Sequence, residues 1–78
     1  MDQITLKRQQ REILAFLRDY LAGQTRLQIA YGVGIERATI CRRVAELRDK
    51  QLVSVHHKGL DPLTNNRAEF LITNTVKK

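Results

Sequence analysis

The sequence has few cysteines, few aromatic residues and no long apolar run, and each shortage excludes a class of protein. Its one cysteine, Cys41, cannot form an internal disulfide, which excludes disulfide-stapled secreted scaffolds. Aromatic residues make up only 5% of the chain, too few for the stacking platforms that bind single-stranded nucleic acid. No apolar run approaches the ~20 residues that span a membrane, and the amino terminus lacks a signal-peptide pattern. We therefore expect a cytoplasmic protein, encoded by a bacterium, an archaeon, a phage or a plasmid.

Catalytic and metal-binding patterns are also missing from the chain. A domain of 78 residues hides only ~60% of its unfolded surface, which leaves no room for a deep substrate cavity. Cys41 has no histidine or acid placed near it in sequence to make it a nucleophile. His56 and His57 are adjacent in a predicted strand, where successive side chains point to opposite faces, so we expect no metal site there. The sequence predicts no enzyme activity, no cofactor and no small-molecule ligand.

Positive charge is in excess. The chain has 14 lysines and arginines against 8 acidic residues, for a net charge of +6, and most of the basic residues are arginine. The planar guanidinium group suits phosphates and the edges of guanine bases. This balance favours an acidic partner, with nucleic acid first and an anionic membrane surface second.

Two helices are predicted in the first half of the chain. Apolar residues recur three or four positions apart over residues 5–22, which predicts an amphipathic helix with Thr5 as its N-cap and Gly23 as its end. Thr25 and Gln28 have the capping-box spacing, which predicts a short second helix over about residues 26–31. The glycines at 32 and 34 are expected to end it. The apolar stripe and the predicted aromatic core positions are Leu6, Ile13, Leu14, Phe16, Leu17, Tyr20, Leu21, Tyr31 and Phe70.

A third helix and a hairpin are predicted after the second glycine. Over about residues 36–50, Ile40, Val44 and Leu47 fall on one helical face, and the opposite face carries small residues around Arg42. Residues 52–57 and 68–73 have the composition of strands, and the ten residues between them are mostly turn formers. We predict an antiparallel hairpin with a long exposed loop that contacts a partner.

The segment from Ile29 to Val44 resembles the helix-turn-helix of winged-helix transcriptional regulators. It matches them in the small Ala30 at the helix crossing, in the turn glycine Gly34, and in its apolar core positions. The hairpin, with Asp61-Pro62 followed by Asn65-Asn66-Arg67-Ala68, looks like the wing of regulators related to the multiple-antibiotic-resistance (MarR) repressors. The resemblance implies an α+β fold, a single winged helix-turn-helix domain over residues 1–78 with its wing over about 52–73. Two departures are Glu36 at a position that is often serine or threonine, and Arg43 beside the core stripe.

This resemblance implies sequence-specific binding of double-stranded DNA by a small transcriptional regulator. The third helix would lie in the major groove, and the wing would contact the backbone or an adjacent minor groove. One copy buries only ~600–1,000 Å² on DNA, so we expect a homodimer or a cooperative assembly, with the first helix or the C-terminal strand as the contact surface. The residues expected at the DNA are Arg26, Arg37, Ala38, Thr39, Cys41, Arg42, Arg43, Lys58, Asn65, Asn66 and Arg67.

Two other functions fit the same fold. A winged helix can serve as a protein-interaction module in a larger complex, or as an accessory DNA-binding protein in replication or recombination. The exposed arginines also have a structural explanation, because Arg42 and Glu46 are spaced i,i+4 and could form an ion pair. The arginines of the third helix and the wing favour DNA binding over protein interaction.

Overall fold

The computed structural model describes residues 6–74. In this range the chain forms helices α1 (Arg8–Leu17), α2 (Arg26–Val33) and α3 (Arg37–Asp49), followed by strands β1 (Val53–Leu60) and β2 (Arg67–Thr73). The two strands pair antiparallel in one sheet. This order confirms the predicted α+β arrangement of three helices and a hairpin. No helix within residues 6–74 is both long enough and apolar enough to cross a membrane.

A single apolar core joins the three helices to the base of the hairpin. The predicted register of α3 is confirmed, because Ile40, Val44 and Leu47 are all fully buried. The side chain of Gln10 is also buried and donates from Nε2 to Oε1 of Glu46 at 2.7 Å, which links α1 to α3 beside the apolar cluster. The buried apolar residues are Ile13, Leu14, Leu17, Ile29, Ile40, Val44, Leu47, Val53 and Leu71.

The first helix is shorter than the predicted span of residues 5–22. It ends at Leu17, and the chain then makes two turns before residue 24. The chain must reverse here because Gln24 pairs with Leu71 on the free edge of β2, each residue donating its N–H to the other's carbonyl oxygen at 3.0 and 2.8 Å. Residues 18–22 have helical spacing of apolar residues, but they form turns because the long-range β-bridge requires the chain to reverse there.

This early helix end changes which residues are buried. Tyr20 and Leu21, predicted in the core, are 40% and 85% exposed because they lie in the turns after α1. Tyr31, also predicted in the core, is 74% exposed on α2. At the other end of the helix, Lys7 occupies the N-cap position, and the predicted cap, Thr5, lies outside the described residues.

The capping box of α2 forms as predicted. The Oγ1 atom of Thr25 accepts from the Gln28 N–H at 3.1 Å, and the Gln28 side chain accepts from the Thr25 N–H at 2.9 Å. The helix runs two residues past its predicted end and stops at Gly34, which has a left-handed φ of 72°. Gly32 lies inside the helix, where a Cβ would sit 2.2 Å from the ring of Phe16. This glycine therefore permits close packing of α1 on α2 and does not end the helix.

The hairpin has longer strands and a shorter loop than predicted. Strand β1 continues to Leu60, so the tip comprises residues 61–66 in place of the predicted 58–67. Asp61 closes this tip, with its N–H donating to the Asn66 carbonyl at 2.8 Å and its carbonyl accepting from the Asn65 N–H at 2.6 Å. Asn65 takes the left-handed conformation of the turn, with φ of 61°. The turn-forming residues therefore form only the tip over residues 61–66.

Strand β1 contains a β-bulge at His56. The register passes from the Val55–Leu71 pair directly to the His57–Phe70 pair, so His56 has no residue opposite it. An extra residue on one strand breaks the alternation of side chains between the two faces of a sheet. The prediction that His56 and His57 point apart is therefore wrong, and both side chains lie together on the exposed surface of the hairpin.

Candidate nucleic-acid interface

The exposed face of α3 combines arginines with small side chains. Arg37, Ala38, Arg42 and Ala45 are exposed, while the other predicted contact residues of α3, Thr39, Cys41 and Arg43, are half-buried. No ion pair within residues 6–74 holds Arg37 or Arg42. Because the alanines carry no long side chain, the helix backbone can approach a flat or grooved partner closely at this face.

The i,i+4 pairing of Arg42 with Glu46, which was the alternative explanation of the exposed arginines, does not form. Glu46 contacts Arg43, with Nη1 to Oε1 at 3.3 Å, and the same oxygen accepts from the buried Gln10. The Arg43 side chain is only 14% exposed, and its Nε is buried without a hydrogen-bond partner among the described residues. Arg43 thus lies at the junction of α3 with α1, where its guanidinium is poorly placed to reach a phosphate.

Arg26, at the start of α2, is held by the wing. Its Nη1 lies 3.0 Å from Oε1 of Glu69 on β2, and Nη1 of Arg48 approaches the same oxygen at 3.7 Å. All three side chains are partly exposed, so these pairs contribute at most about 1 kcal/mol each to stability. Glu69 was not among the predicted site residues because 43 positions separate it from Arg26, and no local pattern reports such a contact.

A hydrogen-bond chain also joins α2 to the tip of the wing. The carboxylate of Asp61 is buried, and its Oδ2 accepts from the Thr25 hydroxyl at 2.7 Å. Its Oδ1 accepts from the Leu63 N–H at 2.8 Å. Because the Thr25 oxygen also caps the Gln28 N–H, one hydroxyl fixes both the start of α2 and the position of the wing tip.

A cleft of about 250 Å³ opens between the start of α2, the start of α3 and the wing tip. Three of the predicted contact residues, Arg26, Arg37 and Arg67, line this cleft together with Asn66. The N-terminus of α2, an eight-residue helix, places the positive end of the helix dipole at this cleft. The two acidic residues of the lining, Asp61 and Glu69, are occupied by Thr25 and by arginines. We call this feature the arginine cleft.

The other predicted wing residues lie outside the arginine cleft. Asn65 is exposed at the tip of the hairpin, and Lys58 is exposed in β1, although the sequence predicted it in the loop. The structure therefore brings four predicted residues into one concave site and puts four more on the exposed or half-exposed face of α3 beside it. It leaves Arg43 half-buried at the junction with α1. Sequence reasoning did not identify Thr25, Asp61 and Glu69 as the groups that position this site.

Comparisons with solved structures agree on the fold. The chain is similar to a mutant of S. aureus MepR, with a TM-score of 0.69 and 20% sequence identity, over 90% of this chain and 49% of that one. It is also similar to MepR in the S. aureus MepR–DNA complex, with a TM-score of 0.68 and 20% identity, over 90% of this chain and 54% of that one. The chain spans about half the length of these neighbours. No protein-family model and no curated protein matches the sequence. Three helices followed by a two-stranded hairpin, superposed on both neighbours, give this chain the winged helix-turn-helix fold.

Proposed function

We propose that this chain binds double-stranded DNA sequence-specifically and acts as a small transcriptional regulator. The observation that carries the proposal is the arginine cleft, which lies next to the exposed arginine face of α3. Phosphates are bound by arginine side chains and helix N-termini, and base edges are read by side chains of a helix in the major groove. The chain offers both kinds of contact on neighbouring elements.

In the proposed complex, α3 lies in the major groove. Ala38 and Ala45 let the helix backbone approach the floor of the groove, and Arg42 is the exposed residue between them that can reach a guanine edge. A bidentate contact of this kind contributes about 1–3 kcal/mol of discrimination between bases. Arg37, at the first turn of α3, also lines the arginine cleft. Its guanidinium binds the adjacent phosphates.

The wing and the start of α2 supply contacts that do not depend on sequence. Arg67 and Asn66 line the arginine cleft, and Lys58 and Asn65 extend the basic and polar surface along the hairpin. Arg26 reaches a phosphate when it exchanges Glu69 for the DNA backbone, since both partners are partly exposed. These contacts set the orientation of the protein on the duplex without reading bases.

The structural neighbours support this role. MepR has been crystallised with DNA, and this chain superposes on about half of it with a TM-score of 0.68. A single winged helix buries only ~600–1,000 Å² on DNA, so we propose that two copies bind one palindromic site. The protein acts by occupying that site and performs no catalysis.

Titration of fluorescent duplex DNA at several salt concentrations tests the proposal. We expect log K to fall with log salt at a slope of about −0.9 per phosphate neutralised, and random duplex to be bound less tightly than a site selected from a library. Undetectable binding at low salt would overturn the proposal and favour the protein-interaction module. Binding with no preference among sequences would favour the accessory DNA-binding role.

Two matched arginine variants separate the local contact from net charge. Arg42→Ala and Arg18→Ala each remove one positive charge, but Arg18 lies after α1, outside both the arginine cleft and α3. We expect Arg42→Ala to weaken binding to the selected site by about tenfold or more, and to flatten sequence preference. Equal effects of the two variants would show that α3 does not read the groove.

A further inference from the structure

The β-bulge in β1 brings two imidazole rings into direct contact. The Nδ1 atoms of His56 and His57 are 2.8 Å apart, and the ring centroids are 5.1 Å apart with planes at 81°. Both residues are exposed, so the pair is open to solvent. In a regular strand these side chains would lie on opposite faces, so the contact exists only because His56 is the bulged residue.

The ring of His57 is fixed in place by its neighbours. It stacks on Phe70, with centroids 4.5 Å apart and planes within 7°. Its Cδ2 and Nε2 atoms lie 3.6 and 3.7 Å from the position that a Cβ on Gly59 would take, so the ring passes close over Gly59 at van der Waals distance. This packing directs Nδ1 of His57 toward His56. The exposed His56 side chain is the one that can rotate.

The spacing of the two nitrogens suits a metal ion with ligands at right angles. Two nitrogens bound at about 2.0 Å are separated by about 2.8 Å at a right angle and by about 3.3 Å at the tetrahedral angle. The observed separation of 2.8 Å is that of the hydrogen bond between the two rings, so the nitrogens are already as close as two ligands at a right angle, and rotation of the exposed His56 ring turns both lone pairs toward one ion. Right-angle geometry with nitrogen ligands is typical of Cu²⁺ and Ni²⁺, whereas Zn²⁺ favours a tetrahedron.

We propose that His56 and His57 form a surface binding site for a divalent late transition metal, Cu²⁺ or Ni²⁺. The two Nδ1 atoms supply adjacent ligands, and water completes the coordination. In the metal-free pair, one Nδ1–H donates to the lone pair of the other Nδ1. When the ion binds both Nδ1 atoms, the donating ring takes the tautomer that carries its proton on Nε2, so both rings bind as neutral imidazoles and no net proton is released. The site is separate from the arginine cleft and does not depend on DNA binding.

Titration of the untagged full chain with Ni²⁺ tests this site, because Ni²⁺ does not oxidise the thiol of Cys41. We expect one equivalent to bind, measured by calorimetry, and to broaden the imidazole nitrogen resonances of His56 and His57 together. We also expect Ni²⁺ to bind more tightly than Zn²⁺. Absence of saturable Ni²⁺ binding, or tighter binding of Zn²⁺, would overturn the proposal.

Single substitutions assign the ligands. His56→Ala and His57→Ala should each weaken Ni²⁺ binding by about tenfold or more, because a lone exposed imidazole does not chelate. Cys41→Ser should bind Ni²⁺ as the parent chain does. Circular dichroism confirms that each variant folds, and His56, exposed and unpaired in the ladder, can be replaced without loss of core contacts. Unchanged binding in the His56→Ala/His57→Ala variant would place the ion elsewhere and refute the site.

Discussion

Replacing Thr25 by valine removes one hydroxyl while nearly preserving the volume of a fully buried side chain. That hydroxyl accepts the Gln28 N–H at 3.1 Å and donates to the Asp61 carboxylate at 2.7 Å. The variant therefore loses the N-cap of α2 and, at the same time, the bond that holds the tip of the wing. Since Thr25 is only 1% exposed, water cannot easily replace the lost partner.

The expected cost follows from these two interactions. Loss of a side-chain N-cap costs about 1 kcal/mol. A hydrogen bond to a charged group contributes about 1.5–3 kcal/mol, and among residues 6–74 the buried carboxylate of Asp61 would keep only its side-chain bond from the Leu63 N–H. Together Thr25→Val should lower the free energy of unfolding by about 2.5–4 kcal/mol, a large share of the ~4–12 kcal/mol expected for a domain of this size.

Urea denaturation followed by circular dichroism measures this difference. With a slope of about 1–1.5 kcal/mol per molar urea, the midpoint should fall by about 2–4 M. Thr25→Ser is the matched control, because it keeps the hydroxyl and loses only a methyl group, at a cost of about 1 kcal/mol. If Thr25→Val is no less stable than Thr25→Ser, the hydroxyl does not join α2 to the wing and the reasoning is refuted.

Three further substitutions examine other parts of the structure. Ile40→Ala should destabilise the chain by about 2–5 kcal/mol, measured by urea denaturation, because Ile40 is fully buried; a near-neutral result would contradict the register of α3. Gly32→Ala should destabilise the parent chain, because its methyl group meets the ring of Phe16 at 2.2 Å, yet stabilise a Phe16→Ala variant by about 1 kcal/mol through helix propensity. The same sign in both backgrounds would rule out this contact. Glu69→Gln should tighten binding to random duplex DNA by releasing Arg26, and anisotropy that shows weaker binding would mean that the pair orders the site.

The sequence by itself determined the elements whose signals are local. The capping box of Thr25 and Gln28, the left-handed glycine after α2, and the spacing of Ile40, Val44 and Leu47 predicted the helix-turn-helix, and the structure confirms each. These features depend on contacts within four residues or on the position of one face of a helix. Strand composition after residue 52 likewise predicted the hairpin.

Only the tertiary structure decided the features that depend on distant residues. Pairing of Gln24 with Leu71 ended α1 early, and Glu46 paired with Arg43 because buried Gln10 holds it there. The assembly of the arginine cleft depends in the same way on Asp61 and Glu69. Asp61 bonds to Thr25, 36 positions away, and Glu69 bonds to Arg26, 43 positions away. Periodicity records which face of an element is apolar, but it carries no information about which polar groups from separate elements will meet. The β-bulge that brings His56 to His57 is another feature that only the tertiary structure decided. It arises from the register between two strands, and the sequence of either strand alone does not predict it.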